Sequence, residues 1–140
     1  MTHPMPPILH LCQVPQAPSV LAAVAAMIHA EFWADVPGAS ADAMAARLAQ
    51  ATSTDALPLC RVALAGDAPA GVVNLVDDDD PNPRVGRPWL AGLVVVPAWR
   101  GRGLGSRLVR AVLDDARRLG ERQVFLGSDE GRKLHLAAEI

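Results

Sequence analysis

Hydrophobic positions divide the chain into short elements of changing period. Residues 1–7 are rich in Met, His and Pro and are expected to fray, and Ile8 to Val14 alternates loosely as a first strand. Val20, Val24, Met27, Ile28 and Phe32 then recur at helical spacing behind Ser19, the expected N-cap of a helix that stops before Pro37-Gly38. Ser40 caps a second, short helix, with Asp42 in its first turn and Met44 and Leu48 inward. Leu59 to Ala65 and Gly71 to Val76 read as two strands joined by a Gly-Asp-Ala-Pro turn, followed by a polar, proline-punctuated loop from Asp77 to Pro88. Trp89 to Val96 is an almost unbroken apolar run, which predicts a strand covered on both faces. The spacing then predicts a helix from about Gly103 to Leu119. Its apolar face is Leu104, Leu108, Val112, Ala116 and Leu119, its polar face Arg107, Arg110, Asp114, Asp115 and Arg118, and Gly120 ends it. Gln123 to Gly127 is a further strand and Glu130 to Glu139 a last helix. The predicted order is β-α-α-β-β-β-α-β-α, a mixed α/β domain over residues 1–140.

Composition adds exclusions. The 140 residues are 51% hydrophobic and 20% charged with a formal net charge of −2, so no overall field favours nucleic acid or anionic lipid. The longest apolar stretch, Val20 to Ile28, is too short to cross a bilayer, and no basic segment precedes an apolar one as in a signal peptide. Cys12 and Cys60 lie apart with no His or Cys at metal spacing, and read as thiols in a reducing compartment. A cytoplasmic protein without a metal is expected.

The chemistry concentrates after the apolar strand, in Leu93-Val94-Val95-Val96-Pro97-Ala98-Trp99-Arg100-Gly101-Arg102-Gly103-Leu104-Gly105-Ser106. Three alternating glycines between a buried strand and a helix let main-chain N–H groups converge without a Cβ in the way. The helix start contributes orphan donors and partial positive charge, so the turn suits a diphosphate. Arg100 and Arg102 add charge-assisted donors.

This segment resembles the coenzyme A-binding motif of the GNAT superfamily of N-acetyltransferases, Arg/Gln-x-x-Gly-x-Gly/Ala after an apolar strand. It matches as Arg100, Gly103 and Gly105, and the preceding Val-x-Pro matches too. The element order is similar over essentially the whole chain. The resemblance implies a mixed, mostly antiparallel sheet flanked by helices, with the fourth and fifth strands splayed apart. It implies acetyl-CoA as acyl donor and a primary amine as acceptor, joined by direct attack in a ternary complex. Gly101, Arg102, Gly103, Leu104, Gly105 and Ser106 would hold the diphosphate, and Leu93, Val94 and Val95 would pair their main chain with the pantetheine arm and polarise the thioester carbonyl.

The resemblance also exposes gaps. Members often carry a carboxylate early in the fourth strand and a tyrosine on the last helix, but Trp89 to Leu93 holds no acid and the chain contains no tyrosine. His135 takes the tyrosine's place as the candidate acid. Glu31, ahead of Asp35, is the candidate base, and the run Asp77 to Asp80 is a solvated loop or a cation-attracting rim. Two further strands expected after the last helix are missing, so either the sequence is truncated or altered after about residue 130 or a partner covers the open edge of the fifth strand, and a homodimer is expected. A non-catalytic acyl-CoA-binding module is the alternative function. A dinucleotide fold ending at Asp129 fits worse, because the glycines run G-x-G-x-G with Pro97 to Arg100 intervening.

Overall fold

The computed structural model describes residues 4–77, 88–127 and 134–139, and of Gly127 and residues 134–139 the backbone alone. Six strands form one sheet in chain order: β1 (Ile8–His10), β2 (Leu59–Ala65), β3 (Ala68–Val76), β4 (Trp89–Val95), β5 (Gln123–Gly127) and β6 (Leu134–Glu139). Every neighbouring pair is antiparallel except β4 and β5, which run parallel. Three α-helices accompany them, α1 (Ala17–Ile28), α2 (Ala41–Leu48) and α3 (Leu104–Arg118). The mixed, mostly antiparallel α/β architecture is the expected one.

The sheet carries a core on each face. Val20, Val24 and Ile28 of α1 and Leu48 of α2 pack with Cys60, Val62, Val72 and Val94 on one side. On the other, α3 lays Leu104, Leu108, Val112 and Ala116 over Leu59, Ala63, Val73, Leu75 and Leu90. Full burial of each large aliphatic in that row contributes about 1.5–3 kcal/mol, which fixes α3 across the sheet.

Boundaries follow local chemistry. Ser40 caps α2 as expected, its Oγ accepting from the Ala43 N–H at 3.0 Å. Ser19 does not cap α1: the helix starts three residues earlier than expected, behind Gln16, because Pro18 fits a first helical turn whose N–H groups lack acceptors. The first strand ends at His10, and Leu11–Gln13 turns as a 3₁₀ segment instead of continuing to Val14. Past Ile28 the chain continues as a π-helical turn over His29–Trp33.

Two further expectations fail. The last element is a strand, β6, not a helix: it pairs antiparallel with β5 from Gln123↔Glu139 to Gly127↔Leu134. Leu134, Leu136 and Ala138 recur every second residue, a period that a ladder satisfies and a helix does not. His135 therefore lies opposite Leu126 on this strand, without the helical setting that made it a candidate acid. It follows that β5 is not an open edge, so the argument for a homodimer from such an edge does not hold. The second failure is Asp115, assigned to the solvent face of α3 but buried at 1% exposure.

Candidate active site

The site begins with a bulge. Val72 of β3 stands opposite Val94 and Asn74 opposite Ala91, so β4 spends an extra residue at Gly92-Leu93. Gly92 takes φ +59°, open to glycine at little cost. The inserted residue reverses the alternation of the strand. Leu90 faces the α3 core before the bulge, and Leu93 and Val95 face it after, whereas Val94 turns to the α1 side.

The bulge coincides with the opening of the sheet. β5 pairs with β4 only at Trp89↔Phe125 and Leu90↔Leu126, supported by a Phe125 N–H bond to the Pro88 carbonyl at 2.9 Å. From Ala91 onwards β4 has no β5 partner. The Val96 N–H donates to Ala70 of β3. By antiparallel alternation the main-chain groups of Leu93 and Val95 then point away from β3, into the gap, and those of Val94 point at β3. Main-chain groups of the splayed β4 thus face the gap at Leu93, whereas Val94 offers its own to the sheet. At Val95 the carbonyl is held by the Arg100 Nε at 2.8 Å.

Next to the gap, a groove of about 380 Å³ is lined by Leu93, Gly105, Ser106, Val109, Arg110 and Leu113. Its upper end is the glycine turn. Gly101 and Gly103 both have left-handed φ, +74° and +85°, and a Cβ at either would meet open space. The first helical bond of the turn is Arg107 N–H to the Gly103 carbonyl at 3.2 Å. Among the described residues the N–H groups of 101–106 have no protein acceptor. Six unsatisfied donors at a helix start, with glycines opening the approach, fit the diphosphate of an acyl-CoA donor. Arg102 stacks on Trp99 with its guanidinium carbon 5.0 Å from the ring centre.

The proposed acid–base groups are less gathered. Glu31 sits exposed in the π turn after α1, and Asp35 is exposed just beyond it. Ile28 ties this end of α1 to β4, since a Cβ on Gly92 would lie 3.5 Å from its Cδ1. Asp77 directly follows β3, whereas Asp78 to Asp80, Asp129 and the His135 side chain lie outside the described residues. The Cys60 thiol is buried, and burial first, then Cys12, pushes it up to about 12, so it supplies no thiolate near neutrality.

Two polar groups were not legible as functional candidates. Asp115 receives Arg61 through Nε at 2.8 Å and Nη2 at 2.7 Å, His10 Nε2 at 3.2 Å and Arg118 Nη2 at 3.2 Å. Burial pushes its carboxyl up, but the Arg61 hydrogen bonds and charge, with Arg118 and His10 behind them, outweigh that and hold it below the usual carboxylate range. Asn74 is the second. It is 7% exposed, its Nδ2 would stand 2.9 Å from a Cβ on Gly92, and among the described residues its carboxamide makes no hydrogen bond. A buried amide without a partner costs about 1–3 kcal/mol and is rare in native proteins.

Known proteins share this fold. Residues 25–137 match the model of the Acetyltransferase (GNAT) family. The aminoglycoside N-acetyltransferase AAC(6')-Iy in complex with CoA is similar at 19% identity and TM-score 0.67, covering 94% of this chain and 82% of that one. A GNAT family acetyltransferase from Brucella melitensis in complex with acetyl-CoA is 25% identical at TM-score 0.60, covering 93% and 79%. An aminoglycoside 6'-N-acetyltransferase complexed with coenzyme A is 18% identical at TM-score 0.64; this chain is covered over 87% and spans 61% of that enzyme. No curated protein matches the sequence. With most of its length inside the family model and the splayed sheet and glycine turn in place, the chain belongs to the GNAT acetyltransferase family.

Proposed function

We propose that this protein transfers an acetyl group from acetyl-CoA to a primary amine within a ternary complex. The carrying observation is the conjunction of a β4 edge released from β5 with six unpartnered amides at the start of α3. Acetyl-CoA, when bound, supplies an acyl group activated as a thioester. The 101–106 amides grip its diphosphate end, and the groove along Leu93, Val109 and Leu113 receives the apolar part of the arm. The Leu93 main chain continues the pairing as an added strand would, and its N–H faces the place where negative charge grows on the acyl oxygen. Arg100 fastens the Val95 carbonyl, so it braces the turn against β4 and shapes the cradle from behind. Glu31, exposed in the turn after α1, takes up the proton that the amine gives up, and His135, on β6 and not on a helix, is the candidate proton donor to the departing thiol. Positioning and the aimed N–H supply most of the rate, so the absence of a tyrosine does not preclude turnover. The structural neighbours crystallised with CoA or acetyl-CoA support this reading.

The test is thiol release from acetyl-CoA against a panel of primary amines, with coenzyme A binding followed by calorimetry. Binding and amine-dependent release are expected. Binding without release on any amine would mark the chain as an acyl-CoA-binding module, the reading favoured by the lack of tyrosine.

A further inference from the structure

The β4 edge can be approached from two faces, and on one of them α3, with Leu93 and Val95 packed beneath it, lines the groove assigned above to the acyl arm. On the other face, at the bulge, three groups meet: the Ile28 side chain, the bare Cα of Gly92 and the Asn74 carboxamide. We propose that Asn74 is the acceptor-binding residue, its carboxamide receiving the amino group of a primary amine beside the β4 bulge. The inference rests on the acetyl-transfer reading above.

Several observations carry it independently of that motif. Asn74 is buried beyond nine-tenths, yet no described group satisfies its amide, whereas Asp115, also buried, has three cationic or imidazole partners. Its position is opposite Ala91, one residue before the bulge that directs the Leu93 N–H into the gap. Gly92 is bare just where a Cβ would press on the amide. An apolar residue would fill the α1-side core at position 74 as Val72 does, so the carboxamide is a polar exception in a hydrophobic neighbourhood.

Carboxamide chemistry also selects the acceptor. Its oxygen accepts from an amine N–H and leaves the nitrogen lone pair free. A carboxylate buried there would hold the amine as an ammonium ion without a lone pair to attack with. The structure thus points to primary amines that are substantially neutral near pH 7.5. These are α-amino groups, with pKa about 7.7–8.0, ahead of simple alkylamines or lysine-like ε-amines near 10.4.

The test compares wild type with Asn74→Leu, a substitution of similar shape that removes both polar atoms, using glycinamide and n-butylamine as probes. The variant should melt no lower than wild type and bind coenzyme A within about twofold, because it relieves an unsatisfied amide. Its kcat/KM for glycinamide should fall at least about tenfold, mostly through the acceptor KM, and wild type should prefer glycinamide to n-butylamine at pH 7.5. Unchanged acetylation by the variant would overturn the role of Asn74. So would a fall in melting temperature with both substrates weakened alike, which would mark the residue as structural. Wild type that binds coenzyme A but acetylates neither probe, with no glycinamide binding to the coenzyme A complex, would also overturn it. Failure of wild type to bind coenzyme A would instead sink the acetyl-transfer reading, and this inference with it.

Discussion

The two ends of α3 are opposites. At its start, six main-chain donors stand open behind two left-handed glycines, and no side chain caps the helix. Three turns on, Asp115 is buried with both carboxylate oxygens engaged, and Arg118 reaches on from it to Asp55 at 2.7 Å and to the Thr54 carbonyl. One end is finished by the protein; at the other the donors have no described protein acceptor. The contrast teaches that hydrogen-bond satisfaction separates scaffold from site better than burial or charge does. An anchored far end lets the near end keep unsatisfied donors without the helix shifting on the sheet.

The comparison can be broken most forcibly at the open end. Gly103→Asp places a carboxylate in the proposed diphosphate cradle and should weaken coenzyme A binding by more than about 100-fold by calorimetry, repulsion and the lost approach acting together. Its cost to folding should be small, about 1 kcal/mol, since a Cβ there meets open space and aspartate tolerates left-handed φ better than most residues.

At the anchored end the pattern should invert. Asp115→Ala strands Arg61 beside a void and should cost about 2–4 kcal/mol in urea unfolding, less than a fully buried pair because Arg61 keeps some access to water. Coenzyme A affinity should change by less than about threefold. The pH dependence sharpens this. A carboxyl lowered in the fold contributes stability that is complete above its unfolded pKa, about 3.9, and is lost as pH falls through the lower folded value. Wild type should therefore lose stability in acid faster than Asp115→Ala, and equal acid slopes would show that the cluster contributes nothing.

The smallest effect lies between the two ends. Arg100→Ala frees the Val95 carbonyl and should weaken coenzyme A binding only about three- to tenfold. A loss as large as that of Gly103→Asp would place the guanidinium on the diphosphate itself.

Much of this was legible in the sequence where local rules dominate. The ends of β2 and β5, the Ser40 cap and the α3 stripe all follow from period and capping. Long-range partners were not. Asp115 reads as solvent-facing because it falls on the polar face with Asp114 and Arg118, and nothing local discloses Arg61 on β2 or His10 on β1. Asn74 is a lone polar residue in an apolar strand, a signal present in the sequence but mute until Gly92 is seen beside it. The last strand was mistaken because its alternation spans only six residues, too few to outweigh the expectation of a helix.

The single parallel joint has a mechanical consequence. β1 to β4 form one panel clamped by helices on both faces, and β5 with β6 form a second. The panels are stitched at Trp89–Leu90 and Phe125–Leu126, with Val124 the buried peg of the outer one. Such a seam can part locally while the larger panel stays folded, so the outer amides should exchange with deuterium at a lower opening energy than those of β2 and β3. The cleft then has one fixed jaw and one yielding jaw.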